Sequence, residues 1–382
     1  MTNEQTPFVD LPAALVEEVM EQTAAVGELL LETFRKMKND QDQYRRRLIE
    51  KGIIRHESSL GYPPLPTTCG TDGSYAVERL LSADLVAAAA VAVEGLTPPS
   101  EKRYWEQPHH ISYVKSEVHH PDTATILRAL MLGSELLLAE KAPHDLVMID
   151  GTLTMPVIYF NQALNKAPET PELSCAKDFL DNAVDYLKVY SAILNNKRSD
   201  RNYVGLPKYS SRREIGKAMG WPVHHDDRGL LTILLEAGEF TKPLPMEQPD
   251  QPWHFNTARL AAGMKRAVDE IAEEIICSLQ NVYVFYYKPH DWIPTLRCEV
   301  AQNVAVNNYR LATVIQGIKH QCACAGMFEP YPLYLADRSV KALARAIPAF
   351  RQVTTQHISE KYEGDIGEIF FAMHGYRSES GV

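Results

Sequence analysis

The sequence predicts an α/β fold: a mixed sheet flanked by helices, with an N-terminal helical extension and a helical stretch inserted in mid-chain. Three observations predict it. Asp145-Leu146-Val147-Met148-Ile149-Asp150-Gly151-Thr152-Leu153 is an apolar run ending abruptly in Asp-Gly-Thr. That pattern is a buried strand delivering a carboxylate to its C-terminal edge, where Gly151 lets the chain turn. A second such element, Thr71-Asp72-Gly73-Ser74-Tyr75, lies upstream. Between them the pattern runs strand, strand, strand, helix, strand, which is a three-stranded antiparallel unit feeding a crossover to a parallel strand.

Taken in order, positions 11–51 carry helical spacing. Leu15, Val19, Ala24 and Leu29 to Leu31 form an apolar stripe, and a charged second half holds Lys36, Lys38, Arg45, Arg46 and Arg47. Gly61-Tyr62-Pro63-Pro64-Leu65-Pro66 breaks the chain. Positions 80–94, apolar and rich in Ala and Val, follow a turn signal and are expected to pair back on the first strand. Positions 110–119 alternate in the β manner through Ile111, Tyr113 and Val118. A helix is expected over 121–141, capped by Asp122 or Thr123 and closed by Pro143, before the Asp150 strand. Further helices are expected over 168–193, 257–278, 304–325 and 336–351, and strands over 281–287 and 291–300. Positions 241–253 are Pro-rich and irregular. The expected organisation is an N-terminal extension over 1–58, a main domain over 59–360 with its insertion at about 165–278, and a tail over 361–382.

Composition narrows the function. With 382 residues, 45% hydrophobic and 23% charged, the chain has the balance of a soluble globular protein. A net charge of −10 excludes the whole surface as an electrostatic binder of nucleic acid, so contact with phosphate must use a local basic patch. Six scattered cysteines argue against a disulfide framework. The N-terminus lacks the basic and apolar regions of a signal peptide, and no apolar run is long enough to span a bilayer. A cytoplasmic protein with no membrane contact is expected.

Two aspartates at the ends of adjacent strands would share a divalent cation, since hard ions such as Mg²⁺ and Mn²⁺ prefer oxygen ligands. Two such ions about 3.5–4 Å apart stabilise the attacking and leaving oxygens in phosphodiester hydrolysis. The plainer alternative is that Asp-Gly is a turn dipeptide. Ile149-Asp150-Gly151-Thr152 resembles the phosphatase loop of haloacid dehalogenases, but Met148 stands where their nucleophilic aspartate belongs. Actin-like ATPases separate Asp from Gly by one residue, and neither motif here has that spacer. No Gly-x-x-x-x-Gly-Lys-Ser/Thr stretch occurs. The adjacent pairs His109-His110, His119-His120 and His224-His225 point in divergent directions on a strand, which does not suit chelation of one ion.

The first Asp-Gly-Ser, the acidic helix, the apolar strand ending Asp-Gly-Thr, and the late segment Tyr331-Pro332-Leu333-Tyr334-Leu335-Ala336-Asp337 together resemble the NurA nuclease family over about 67–351. The resemblance implies an RNase H-like fold and cleavage of DNA dependent on Mn²⁺ or Mg²⁺, with two ions. It also implies a homodimer that works with a HerA-type hexameric ATPase on DNA ends or in defence. Carried over by position, Asp72 and Asp150 bridge the metal, Glu135 is the helix acid, and Asp337 takes a place where many relatives have His. Glu329 occupies the spacing of the family's nearby Tyr, with Tyr331 two residues on as a possible auxiliary group. Metal-activated water would attack the scissile phosphate in line, the second ion stabilising the leaving 3′ oxygen.

For DNA, positions 196–217 concentrate basic residues, of which Lys197, Arg198, Lys208, Arg212 and Arg213 are the candidates. Tyr203 and Tyr209 are interleaved as stacking surfaces. The resemblance places Lys197 near the active site, as the lysine after the third core strand. The rival function is a non-catalytic docking subunit for an ATPase, with the N-terminal helix as its contact.

Overall fold

The computed structural model describes residues 11–374 except Ser211 and His224. The first ten residues of the extension, the tail expected beyond 374 and one member of the His224-His225 pair lie outside the described residues. The chain divides into two compact units, Met1–Ile53 and Ile54–Val382. Among the described residues the first holds one helix, α1 (Ala13–Glu50), whose Leu15, Val19, Leu29, Leu30, Leu31 and Phe34 are exposed.

In the second unit the chain runs β1 (Ile54–His56), β2 (Thr68–Arg79), β3 (Asp84–Glu94), β4 (His109–Glu117), α2 (Thr123–Lys141) and β5 (Leu146–Asp150). Next come α3 (Met155–Lys166), α4 (Ser174–Asn195), β6 (Asn202–Leu206), α5 (Glu214–Met219), α6 (Asp227–Leu234), β7 (Glu239–Thr241) and β8 (Leu244–Pro245). It closes with α7 (Ala262–Gln280), β9 (Val282–Tyr287), β10 (Leu296–Ala301), α8 (Gln302–Ala305), α9 (Asn308–Gln321), α10 (Tyr331–Ser359) and α11 (Ile366–Ala372).

All strands join one mixed sheet in the order β1-β7-β9-β10-β6-β5-β2-β3-β4, with β8 beside β9. β2, β3 and β4 are antiparallel, while β5 pairs parallel to both β2 and β6. The antiparallel unit and its crossover through α2 are thus as expected. Helices cover both faces: α2 packs on β2 and β3 from one side, backed by α3 and α4, while α9 and α10 lie on the other. The alternation of β5 explains how. Leu146 and Met148 join Val204, Phe285, Ile315, Ile318 and Leu333 in the core under α9 and α10, and the odd residues turn to the α2 side. Among the described residues, no helix is long and apolar enough to cross a membrane.

Three local expectations are corrected. Asp72-Gly73 does not end a strand: β2 continues to Arg79, with Asp72 opposite Val91 and Gly73 opposite Ala90. The helix expected from position 336 starts at Tyr331, within the Pro-rich segment that separates it from α9. Pro330 is the N-cap and Pro332 lies in the first turn, where a missing N–H costs nothing. Finally, the largely helical stretch 165–278 also supplies β6, a fully buried strand in mid-sheet that the surrounding basic residues concealed.

Candidate metal centre

Strand register brings the first two carboxylates together. Thr71 pairs with Ile149 across the parallel β2–β5 ladder, so the next residues, Asp72 and Asp150, stand side by side where β5 ends. Gly151 then turns the chain with φ +99°, a conformation that side-chain-bearing residues resist. Asp337 arrives from α10. That helix can approach because Gly70 has no side chain: a Cβ there would lie 2.7 Å from the Leu333 nitrogen and the Pro332 carbonyl carbon. One carboxylate oxygen from each of Asp72, Asp150 and Asp337 lies within 4.8 Å of the others. Among the described residues, this is the one grouping of three or more His, Cys, Asp or Glu side chains close enough to share an ion.

Glu135 stands outside that grouping. It is buried on α2, on the opposite face of β2, where the Thr71 hydroxyl donates to it at 3.5 Å. Four acidic groups in one place disturb each other's protonation. Burial, and then the charge of Asp150, pushes Asp72 up to about 7. Burial raises Glu135 well above the ordinary carboxylate range, with Asp72 and Asp150 adding to it. Asp150 is also raised by burial, which outweighs its ion pair with Lys208. Burial pushes Asp337 upward too, but hydrogen bonds from Lys341 and Lys208 overcome it and leave that group lowered. Such a set favours either protons or a cation.

Lys208 is at the centre. Its ammonium lies 3.0 Å from Asp150, 3.1 Å from Asp337 and 3.1 Å from Glu329, and these carboxylates overcome burial to hold its pKa above the usual value. β6 puts it there: Leu206 pairs with Asp150, so Pro207-Lys208 leaves the sheet at the same edge. This corrects the placement of Lys197. The core strand runs over 202–206 and not before 197, so the lysine that follows it is Lys208. Lys197 instead pairs with Glu274 at 3.2 Å, and Arg198 with Asp200 at 2.6 Å, both exposed and neither touching the carboxylates.

Arg212 borders the site. Its Nη2 donates to Thr154 Oγ1 at 3.3 Å, Nη1 donates to the Glu247 carbonyl at 2.6 Å, and the guanidinium lies 5.9 Å from the Trp253 ring centre. Arg213 is tied up structurally, donating to the carbonyls of Trp221, Pro222 and His225. Tyr331 is half-buried in the first turn of α10, while Glu329 is the residue of that segment that reaches the cluster.

Sequence reasoning missed the support beneath the Asp150 turn. Glu299 Oε2 accepts from Thr152 Oγ1 at 2.6 Å and from the Leu153 N–H at 2.9 Å. Its Oε1 accepts from Arg297 Nε at 3.0 Å, and Arg297 in turn donates twice to Glu214, at 2.7 and 2.8 Å. The signal was present. Arg297 and Glu299 alternate with Leu296, Cys298 and Val300 in a strand whose six residues are all buried, so the two charges must satisfy each other.

The NurA domain model matches residues 66–341. The chain is similar in structure to the NurA nuclease from Sulfolobus solfataricus, at 13% identity and a TM-score of 0.59, over 91% of this chain and 98% of that one. A crystal structure of NurA with manganese superposes with a TM-score of 0.54 at 14% identity, covering 90% and 99% of the two chains. A further crystal structure of NurA gives 0.53 at 13% identity, covering 92% and 99%. No curated protein sequence matches the chain.

Proposed function

Because this chain belongs to the NurA family, we propose that it hydrolyses DNA phosphodiester bonds using divalent metal held by Asp72, Asp150 and Asp337. The observation that carries the proposal is the convergence of three carboxylate oxygens within 4.8 Å at the end of β5, the edge of an α/β sheet where ligands bind. The donors fit the group. They are hard oxygens, mutually repelling, and their charge is met in part by the ammonium groups of Lys208 and Lys341. The manganese in the related NurA crystal supports Mn²⁺, and Mg²⁺ suits the same donors. We read the site as taking two ions; Glu135, the fourth ligand suggested by the sequence, instead adds its charge from the other face of β2.

Bound there, the metal would supply the positive charge that activates water and stabilises the leaving oxygen. The chain does the rest. Asp72 and Asp150, fixed by adjacent strands, set the ion's position against the sheet, and Asp337 closes it from the helix side. Lys208 is placed to meet a non-bridging phosphate oxygen once its carboxylates are occupied by metal. Arg212 lies beside the same edge and extends the positive charge toward the strand. Glu329 keeps Lys208 protonated and aimed into the site.

A HerA-type hexameric ATPase is the proposed partner and a homodimer the proposed assembly, in DNA end processing or defence. The lack of a phosphate loop in this sequence and the exposed apolar side chains of α1 support the need for a partner. Six free cysteines support a cytoplasmic setting. The deciding experiment is Mn²⁺-dependent release of nucleotides from linear DNA. Asp72→Ala and Asp150→Ala should each abolish it; undiminished release in both would remove the proposed site and leave the docking subunit as the better account.

A further inference from the structure

The carboxylates use the first half of β2, and the second half carries another set of groups. Pairing of β5 with β2 ends at Thr71 and Ile149, whereas β2 continues to Arg79. Tyr75 lies on that free stretch, on the same face as Thr71 and Gly73, toward α2. Arg128 meets it from α2, on the helix stripe that also carries Met131 and Glu135. One end of the guanidinium, Nη2, donates to the Tyr75 hydroxyl, and the other, Nη1, donates to the Tyr159 hydroxyl at 2.7 Å. The guanidinium carbon lies 5.0 Å from the Tyr75 ring centre and 4.6 Å from that of Tyr159. Tyr159 belongs to α3, the helix that follows the Asp150 turn. The cation is therefore fixed by β2, α2 and α3 on the α2 face of the sheet, while Asp72 and Asp150 stand on the other face, where the pairing of β5 with β2 ends. Tyr75 is three residues beyond Asp72, roughly 10 Å along the strand.

This cation has no counter-charge. Arg297 is matched by Glu214 and Glu299, Arg351 by Glu78, and Lys208 by three carboxylates. Among the described residues, Arg128 pairs with no carboxylate and is held by two neutral phenols. A half-buried guanidinium has lost part of its hydration and gains most from an anion that completes its hydrogen bonds. The phenols occupy one N–H on each terminal nitrogen, which leaves three of the five N–H donors to offer. A planar, pre-oriented fork matches the paired oxygens of a phosphodiester.

We propose that Arg128, clamped between Tyr75 and Tyr159, binds a DNA backbone phosphate where the strand runs past the open edge of β2 beyond the end of β5, and so sets the strand's register on the metal centre. The inference rests on the nuclease function above but concerns a separate step, substrate grip. The test is binding of a fluorescein-labelled single-stranded oligonucleotide, with Ca²⁺ in place of Mn²⁺, titrated with KCl. Arg128→Met keeps the stem and removes the charge. Its affinity should fall roughly ten- to a hundredfold, and the slope of log affinity against log salt should shrink by about 0.7. Joint replacement Tyr75→Phe and Tyr159→Phe keeps the rings but frees the guanidinium, and should give a smaller loss with the slope retained. Calorimetric Mn²⁺ affinity should match wild type in both.

Wild-type affinity and slope in Arg128→Met, in a protein that still binds and cleaves DNA, would overturn the assignment while sparing the nuclease reading. A fall in Mn²⁺ affinity would overturn it too, by making Arg128 a prop of the metal centre. If the wild-type chain neither binds nor cleaves DNA, the nuclease reading itself fails and takes this inference with it.

Discussion

Replacing Glu299 by Gln tests whether the buried ionic chain beneath the Asp150 turn sets the metal centre or merely fills the core. Glu299 accepts three hydrogen bonds, from Arg297 on one oxygen and from Thr152 and Leu153 on the other. An amide has one acceptor oxygen and an N–H₂. If the oxygen faces the turn, the N–H₂ points at the Arg297 Nε–H; if it is flipped, the N–H₂ points at the Leu153 N–H. Either way one buried donor loses its acceptor, at a cost of about 1–3 kcal/mol. Glu299→Ala removes the charge altogether and leaves Arg297 half-paired, which costs about 3–5 kcal/mol. Stability is read from urea unfolding followed by circular dichroism, and the metal centre from calorimetric Mn²⁺ binding. The control is Glu214→Gln, which touches the far end of Arg297 but not the turn. Both Gln variants should lower the unfolding midpoint. Only Glu299→Gln should weaken Mn²⁺ binding, by roughly tenfold if about 1.4 kcal/mol of the loss reaches the Asp150 turn. Equal destabilisation by the two variants with Mn²⁺ affinity untouched in both would refute the coupling.

Three further outcomes follow from the same geometry. The Asp72 pKa is about 7 in the folded, metal-free protein and in the ordinary carboxylate range when unfolded. A raised folded pKa contributes stability that is present below the unfolded value and lost as pH climbs through 7. Metal-free protein should therefore become more stable as pH falls from 8 toward 4 as far as Asp72 is concerned, and Asp72→Asn should flatten that dependence. Mn²⁺ binding at pH 6 should release at least about one proton, declining as pH passes 7, measurable by calorimetry in buffers of different ionisation enthalpy. Gly70→Ala should displace the start of α10, because the new methyl meets backbone atoms of Pro332 and Leu333 and no flexible side chain. A stability loss of about 1–3 kcal/mol with weakened Mn²⁺ binding is expected; normal Mn²⁺ affinity would show that Asp337 is not a ligand.

Much of this protein was written in its local sequence. The Leu146–Asp150 run, the alternation of positions 110–119 and the helical spacing before Asp145 specify the antiparallel unit and its crossover, because side-chain periodicity reports which faces are buried. The Asp-Gly-Ser/Thr pair likewise marked Asp72 and Asp150, although of the two only Asp150 ends its strand. Other features depended on long-range packing. β6 could not be distinguished within a basic stretch, because its five residues are apolar or neutral only between charged flanks. Without that strand Lys197 looked like the site lysine, and only the pairing of Leu206 with Asp150 makes it Lys208. The Arg297–Glu299 chain, the close approach of α10 over Gly70 and the capture of Arg128 by two tyrosines join residues distant in sequence. Periodicity fixes which face a residue occupies, but only the assembled sheet decides which other charges it will meet there.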